Sequence, residues 1–135
     1  MEGNDGEQYF FNFSFFKIDP KWRWMADLAK EESARELKNI MENSPVKIRT
    51  YSTLGLRDDA DFLIWFMSES LEDIQDAISK IYLTVVGKYI TPSKVYLSST
   101  RKSMYAKKNR THSFVGGLEA KRYTVVYPFI KTREW

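Results

Sequence analysis

The chain is expected to fold as an α+β domain of ferredoxin-like type, with the order β-α-β-β-α-β over residues 8–100. Three observations predict this. Two stretches place apolar residues at helical spacing, and each opens on a capping signal. Four shorter stretches are built from β-branched and aromatic residues. Turn-forming clusters separate these six stretches in the order that defines the pattern.

The elements follow in turn. Residues 8–18 read as a strand, with Phe11, Phe13 and Phe15 on one side and Phe10 and Phe16 on the other, Asn12 and Ser14 between them. Aromatics on both faces imply burial on both faces or an assembly interface. Asp19-Pro20 starts a helix, because Asp caps and Pro suits the first helical position. That helix is expected over 20–42, with Trp22, Met25, Ala26, Ala29, Ser33, Leu37, Ile40 and Met41 as its apolar stripe and its many charges on a solvated face. Asn43-Ser44-Pro45 ends it. Residues 46–56 form a second strand, with Gly55 marking a bulge near its end. Residues 57–61 form a turn, and 62–67 a third strand so apolar that it belongs at the centre of the sheet. The second and third strands pair as a hairpin. Ser70, with Asp73 three residues on, caps a second helix whose stripe is Leu71, Ile74, Ile78, Ile81, Tyr82, Val85 and Tyr89. It fades near Gly87, and Thr91-Pro92 breaks it. Residues 93–100 form the fourth strand.

Such a sheet carries both helices on one face and leaves the other to be covered. The aromatic strands point to a second sheet, from this chain or another. Residues 1–7 are a polar lead. Residues 101–120 are a linker that is basic at first, with Arg101, Lys102, Lys107, Lys108 and Arg110, and that turns at Gly116-Gly117.

Composition narrows the function classes. At 135 residues, 43% hydrophobic and 29% charged, the chain suits one globular domain. Aromatics reach 16%, enough for a large flat apolar surface in a core, an interface or a ring-binding pocket. Cysteine is absent, which excludes disulfides, thiolate metal sites and a cysteine nucleophile. The acidic lead is the opposite of a signal peptide, so a cytoplasmic location is expected and the sequons at Asn12 and Asn109 are disregarded. No apolar run reaches membrane-spanning length. A net charge of +3 is too mild to argue for nucleic acid. The strands at 46–56 and 62–67 also lack the aromatic signature by which ferredoxin-like domains bind RNA.

Residues 121–135 carry the most informative motif. Tyr123, Val125 and Tyr127 alternate with Thr124 and Val126 as a strand, and Pro128 ends the ladder because it has no N–H to donate. The result is Tyr127-Pro128-Phe129-x-Lys131-x-x-x-Trp135, a phenol, a cation and an indole at a strand end, with Arg133 between the last two.

This fragment, together with the layout before it, resembles the chlorite dismutase family, which includes the coproheme decarboxylases. The resemblance covers the chain as an N-terminal half plus the first strand of the next, one half of a dimeric α+β barrel. It implies a haem-dependent oxidoreductase, nearest the decarboxylase or peroxidase branch, whose sharpest form is the peroxide-dependent oxidative decarboxylation of iron coproporphyrin to haem b. Tyr127 matches the redox-active tyrosine of the decarboxylases. Lys131, and less securely Arg133, would pair with porphyrin carboxylates, and Trp135 would wall the ring pocket. The resemblance also implies a homo-oligomer, commonly a pentamer. It places the axial histidine in the second half, beyond Trp135. The single histidine, His112, precedes the motif and does not match that position, so the expected metal ligands among these residues are none.

From the residues alone, Tyr127, Lys131 and Trp135 are equally a packed strand tyrosine, a solvated cation and a core indole. The basic cluster at 101–110 is a solvated loop or a steering patch for an anionic porphyrin. Asp58, Asp59 and Asp61 suit a turn better than a metal site. The competing function is a non-catalytic dimeric α+β barrel module for assembly or small-molecule binding.

Overall fold

The computed structural model describes residues 8–100 and 120–130. The first block forms four strands and two helices: β1 (Phe10–Ile18), α1 (Asp27–Glu42), β2 (Lys47–Ser52), β3 (Phe62–Ser68), α2 (Leu71–Tyr82) and β4 (Ile90–Ser99). The strands make one antiparallel sheet in the order β2-β3-β1-β4. This is the expected ferredoxin-like α+β fold, with β3 inside the sheet and β2 and β3 paired.

The two faces separate by the period-2 rule of a strand. On the helix side, Phe16, Ile64 and Phe66 pack with Ile74, Ala77 and Ile81 of α2 as the main core. Phe66 and Ile64 are fully buried there. Asn12 and Ser14 share this side and are also buried. The Ser14 hydroxyl donates to Asn12 Oδ1, which pairs two polar groups in an apolar layer.

Helix α2 starts where its sequence directs. Ser70 Oγ accepts from the Asp73 N–H at 3.1 Å, while the Ser70 N–H donates to Ser68 Oγ. The reciprocal half of a capping box is thus replaced by the serine two residues earlier, at the end of β3.

Four boundaries differ from the sequence expectation. Residues 20–42 are not one helix. Pro20–Trp24 is a single 3-10 turn capped by Asp19, and Met25 and Ala26 are extended before α1 begins. Trp22 leaves the α1 stripe as a result and meets Tyr89 edge-on at 5.6 Å. Helix α2 stops at Tyr82, short of Gly87, because Thr84 turns the chain: its N–H and its hydroxyl both donate to the Ile81 carbonyl. A second 3-10 turn, Val86–Tyr89, follows. Strand β4 then begins at Ile90 and runs through Pro92. The proline is tolerated because β4 is an edge strand and the ladder with β1 shifts register between Phe15 and Phe16. Gly55 lies beyond β2 in the following turn, at φ +77°, rather than at a bulge within it.

Residues 120–130 make no ladder pairing among the described residues, so the strand expected to start at 121 is not formed here. The segment still has an anchor. Val126 packs against Phe15, Ala60 and Leu63 on the face of the sheet opposite the helices.

Candidate functional site

The face opposite the helices is a grid set by strand register. Lys47, Arg49 and Tyr51 of β2 stand beside Met67, Trp65 and Leu63 of β3. Those residues stand beside Phe11, Phe13 and Phe15 of β1, and these in turn beside Ser98, Tyr96 and Lys94 of β4. The middle row therefore reads Arg49, Trp65, Phe13, Tyr96. Trp65 and Phe13 stack with centroids 5.0 Å apart, and the Arg49 guanidinium sits 5.4 Å from the Trp65 centroid. Phe11 lies tilted against the same indole at 6.0 Å. The Trp65 Nε1 atom is buried without a hydrogen-bond partner, which is costly for an N–H donor.

One end of the grid is closed by ions. Arg57 grips Asp59 with two bonds, Nε to Oδ1 at 2.7 Å and Nη2 to Oδ2 at 2.8 Å. Lys94 reaches Asp59 Oδ2 at 3.2 Å. The hydrogen bond from Arg57, seconded by Lys94, holds the Asp59 carboxyl far below the usual carboxylate range. Arg57 also lies 5.3 Å over the Phe15 ring. Asp61 works in the turn itself: its Oδ2 accepts from the Ile18 N–H at 2.7 Å, and Lys17 lies 3.9 Å from its Oδ1. These two carboxylates are thus committed to ion pairs and to the backbone. No group of three or more His, Asp or Glu among the described residues is arranged to hold a metal ion.

Over this face runs the segment that carries the motif. Val126 is its contact with the sheet, and Tyr127 beside it is 82% exposed. Tyr123, Val125, Phe129 and Ile130 are exposed as well. Lys131, Arg133 and Trp135 lie outside the described residues, as do His112 and the basic cluster at 101–110. The structure places Tyr127 next to the anchor of its segment.

A sequence model described as chlorite dismutase matches residues 29–135. The chain belongs to the chlorite dismutase family. A coproheme decarboxylase of Mycolicibacterium smegmatis is 33% identical over 108 residues, which are 78% of this chain and 46% of that protein. Among solved structures, the chlorite dismutase of Candidatus Nitrospira defluvii in complex with imidazole superposes with a TM-score of 0.69 at 23% identity, over 72% of this chain and 42% of that one. A variant of the same protein gives 0.71 at 22% identity, over 89% and 52%. At that identity the structural likeness speaks for the fold alone. The chain spans about half the length of these family members.

The resemblance read from the Tyr-Pro-Phe-x-Lys segment is therefore sound at the level of family. The row built on Trp65 is what the sequence reading missed. Leu63, Trp65 and Met67 were visible as alternate residues of an apolar strand. Which neighbours they meet depends on register, and register is set by pairing partners far away in sequence.

Proposed function

We propose that this chain is the N-terminal portion of a haem-dependent oxidoreductase, and that the whole protein decarboxylates an iron coproporphyrin oxidatively, with peroxide, to haem b. The observation that carries this reading is a motif in a place: Tyr127-Pro128-Phe129 follows directly on Val126, which packs on the sheet face, and Lys131 is next but one in the sequence, in a chain of the chlorite dismutase family. The 33% identity to a coproheme decarboxylase over most of the chain supports the decarboxylase branch.

The residues present fit the periphery of such a group. Tyr127 offers an accessible phenol, 82% exposed beside its anchor. Lys131 supplies an ammonium suited to a propionate, Arg133 a second cation, and Trp135 an indole wall. The residue that would hold the iron is placed by the family resemblance beyond Trp135. When bound, the iron would pass on the oxidising equivalents of the peroxide. Two of the four propionates would each lose CO2, one proton and two electrons to become a vinyl group, and for each of them one peroxide would take up the two electrons, that proton and one more from solvent to become two waters. Tyr127 is the group through which the oxidation passes to the substrate, and Lys131 holds the carboxylate against it. Residues 121–135 accordingly open the second half of the fold. A homo-oligomer, as large as a pentamer, and a cytoplasmic setting belong to the same proposal; among the described residues no helix is long and apolar enough to cross a membrane.

The test is a titration with haem and with iron coproporphyrin, followed by Soret absorbance, on this chain and on one extended past Trp135. The expected result is a saturable stoichiometric shift in the extended chain, unchanged in Tyr127→Phe while peroxide-dependent CO2 release is lost. No shift in either chain sinks the haem reading. The second reading, a non-catalytic barrel module, would then stand, favoured by the open aromatic face around Trp65 and Phe13.

A further inference from the structure

A cavity of about 330 Å³ lies on the helix side of the sheet, between α1 and the edge strand β2. It is on the other side of the sheet from Val126 and the Tyr127 segment. Phe62 and Ile64 form its floor, and Trp22, Leu37, Met41 and Tyr89 are among its walls. None of its thirteen lining residues is charged. We propose that this cavity is a binding site for a small uncharged apolar molecule, of two fused rings or an aliphatic chain of similar bulk.

Four observations carry the assignment. The first is how α1 packs. Only Ser33 of its sixteen residues is buried; Leu37 and Met41 pack against the main core only in part and also line the void. The second is size. An engineered apolar cavity of about 150 Å³ stays dry and takes up benzene, and this one is roughly twice as large. Atoms lining such a void have no dispersion partners on its empty side, and water entering it gains few partners beyond the hydroxyls of Thr50, Ser52 and Tyr89. The third is charge. A carboxylate or ammonium would give up its hydration with no counter-charge in the lining, so the ligand is neutral. The fourth is access. Ala34, Thr50 and Ser52 line the cavity and are exposed, which places an entrance between α1 and β2. Met41, flexible and polarisable, lets the wall adapt to more than one shape.

The experiment is a fluorescence titration of this chain with N-phenylnaphthylamine, an uncharged fluorophore. The expected result is a saturable rise in emission at one probe per chain. Ala34→Trp and Thr50→Trp, both at exposed positions of the entrance, each weaken binding by about tenfold or more, with circular dichroism unchanged. Tyr96→Ser, on the opposite face of the sheet, leaves binding within about twofold. Should one of the entrance variants misfold, the other carries the test. Three results overturn the proposal: no saturable binding, binding indifferent to the properly folded entrance variants, or binding lost in folded Tyr96→Ser, which would put the probe on the aromatic grid.

Discussion

Gly87→Ala is expected to destabilise the domain by about 2–3 kcal/mol, although alanine is otherwise the better residue in a turn of helix. A Cβ built at Gly87 lies 2.4 Å from the Ile81 carbonyl oxygen and 2.5 Å from that of Tyr82, both backbone atoms at the end of α2. Ordinary contact begins at 3.4 Å, so one side must move by about 1 Å. The atoms in the way are already engaged. The Ile81 carbonyl accepts from the Thr84 N–H at 3.1 Å and from the Thr84 hydroxyl at 2.7 Å, and the Gly87 N–H donates to that hydroxyl at 3.0 Å. Thr84 is buried, so water does not replace a lost bond there. Each such bond broken costs about 1–3 kcal/mol. The entropy that alanine removes from the unfolded chain returns only about 0.4–1 kcal/mol. In urea, with a slope of about 1–3 kcal/mol per molar, the midpoint falls by about 1–2 M. The control is Gly55→Ala. That residue has open space around it but sits at φ +77°, so its cost is the left-handed strain alone, about 1–2 kcal/mol. A Gly87→Ala midpoint equal to wild type, or above it, would refute the steric account of this junction.

Phe66→Ala removes a fully buried ring from the main core and is expected to cost about 3–5 kcal/mol by urea denaturation. Ser70→Ala loses the bond that caps α2 and should cost about 1 kcal/mol, with faster hydrogen exchange confined to the first turn of α2. Asp59 carries a pH signature. Its folded-state titration is depressed by Arg57 and Lys94, so its contribution is present above the ordinary aspartate value near about 3.9 and is lost as pH falls below it. The stability difference between wild type and Asp59→Asn should therefore shrink on acidification, and NMR should place the Asp59 carboxyl midpoint well under the usual range. Lys94→Ala should raise that midpoint; a midpoint at the ordinary value would show the pair to be absent in solution.

What was legible in the sequence is what local chemistry decides. Ser70 announced the start of α2, Phe11, Phe13 and Phe15 announced a shared face, and the apolar run from Phe62 announced a central strand, while Asp19-Pro20 announced only a 3-10 turn ahead of α1. What escaped was decided at a distance. Met25 and Ala26 fit a helical stripe as well as any residue, but the chain extends there, and Trp22 turns to meet Tyr89, sixty-seven positions away. Pro92 reads as a breaker until β4 is known to be an edge beside a register shift. On the sheet face, Arg49 and Trp65 became neighbours only through the register of β2 on β3.

The grid and the motif have one physical feature in common: each is incomplete on one side. Trp65 buries an indole N–H with no acceptor, and Phe11, Phe13 and Tyr96 are only partly covered. Val126 touches the grid's edge, while the residues after it, Tyr127, Phe129 and Ile130, stand in solvent at 79–93% exposure. A run of apolar residues held that far into water is unfavourable by about 25 cal/mol for each Å² that could be covered. The family members that the chain matches are about twice this length, and a second sheet laid over the grid would resolve both: it would cover the aromatic rows, bring an acceptor within reach of Trp65, and give the segment from Lys121 the ladder partner that it lacks among the described residues. Trp65→Phe tests this directly. In the 135-residue chain it removes an unsatisfied donor and should leave stability unchanged or raised. In the extended chain, where the covering sheet would supply an acceptor, the same substitution should destabilise. Equal effects in the two chains would mean that the second sheet does not lie over this face.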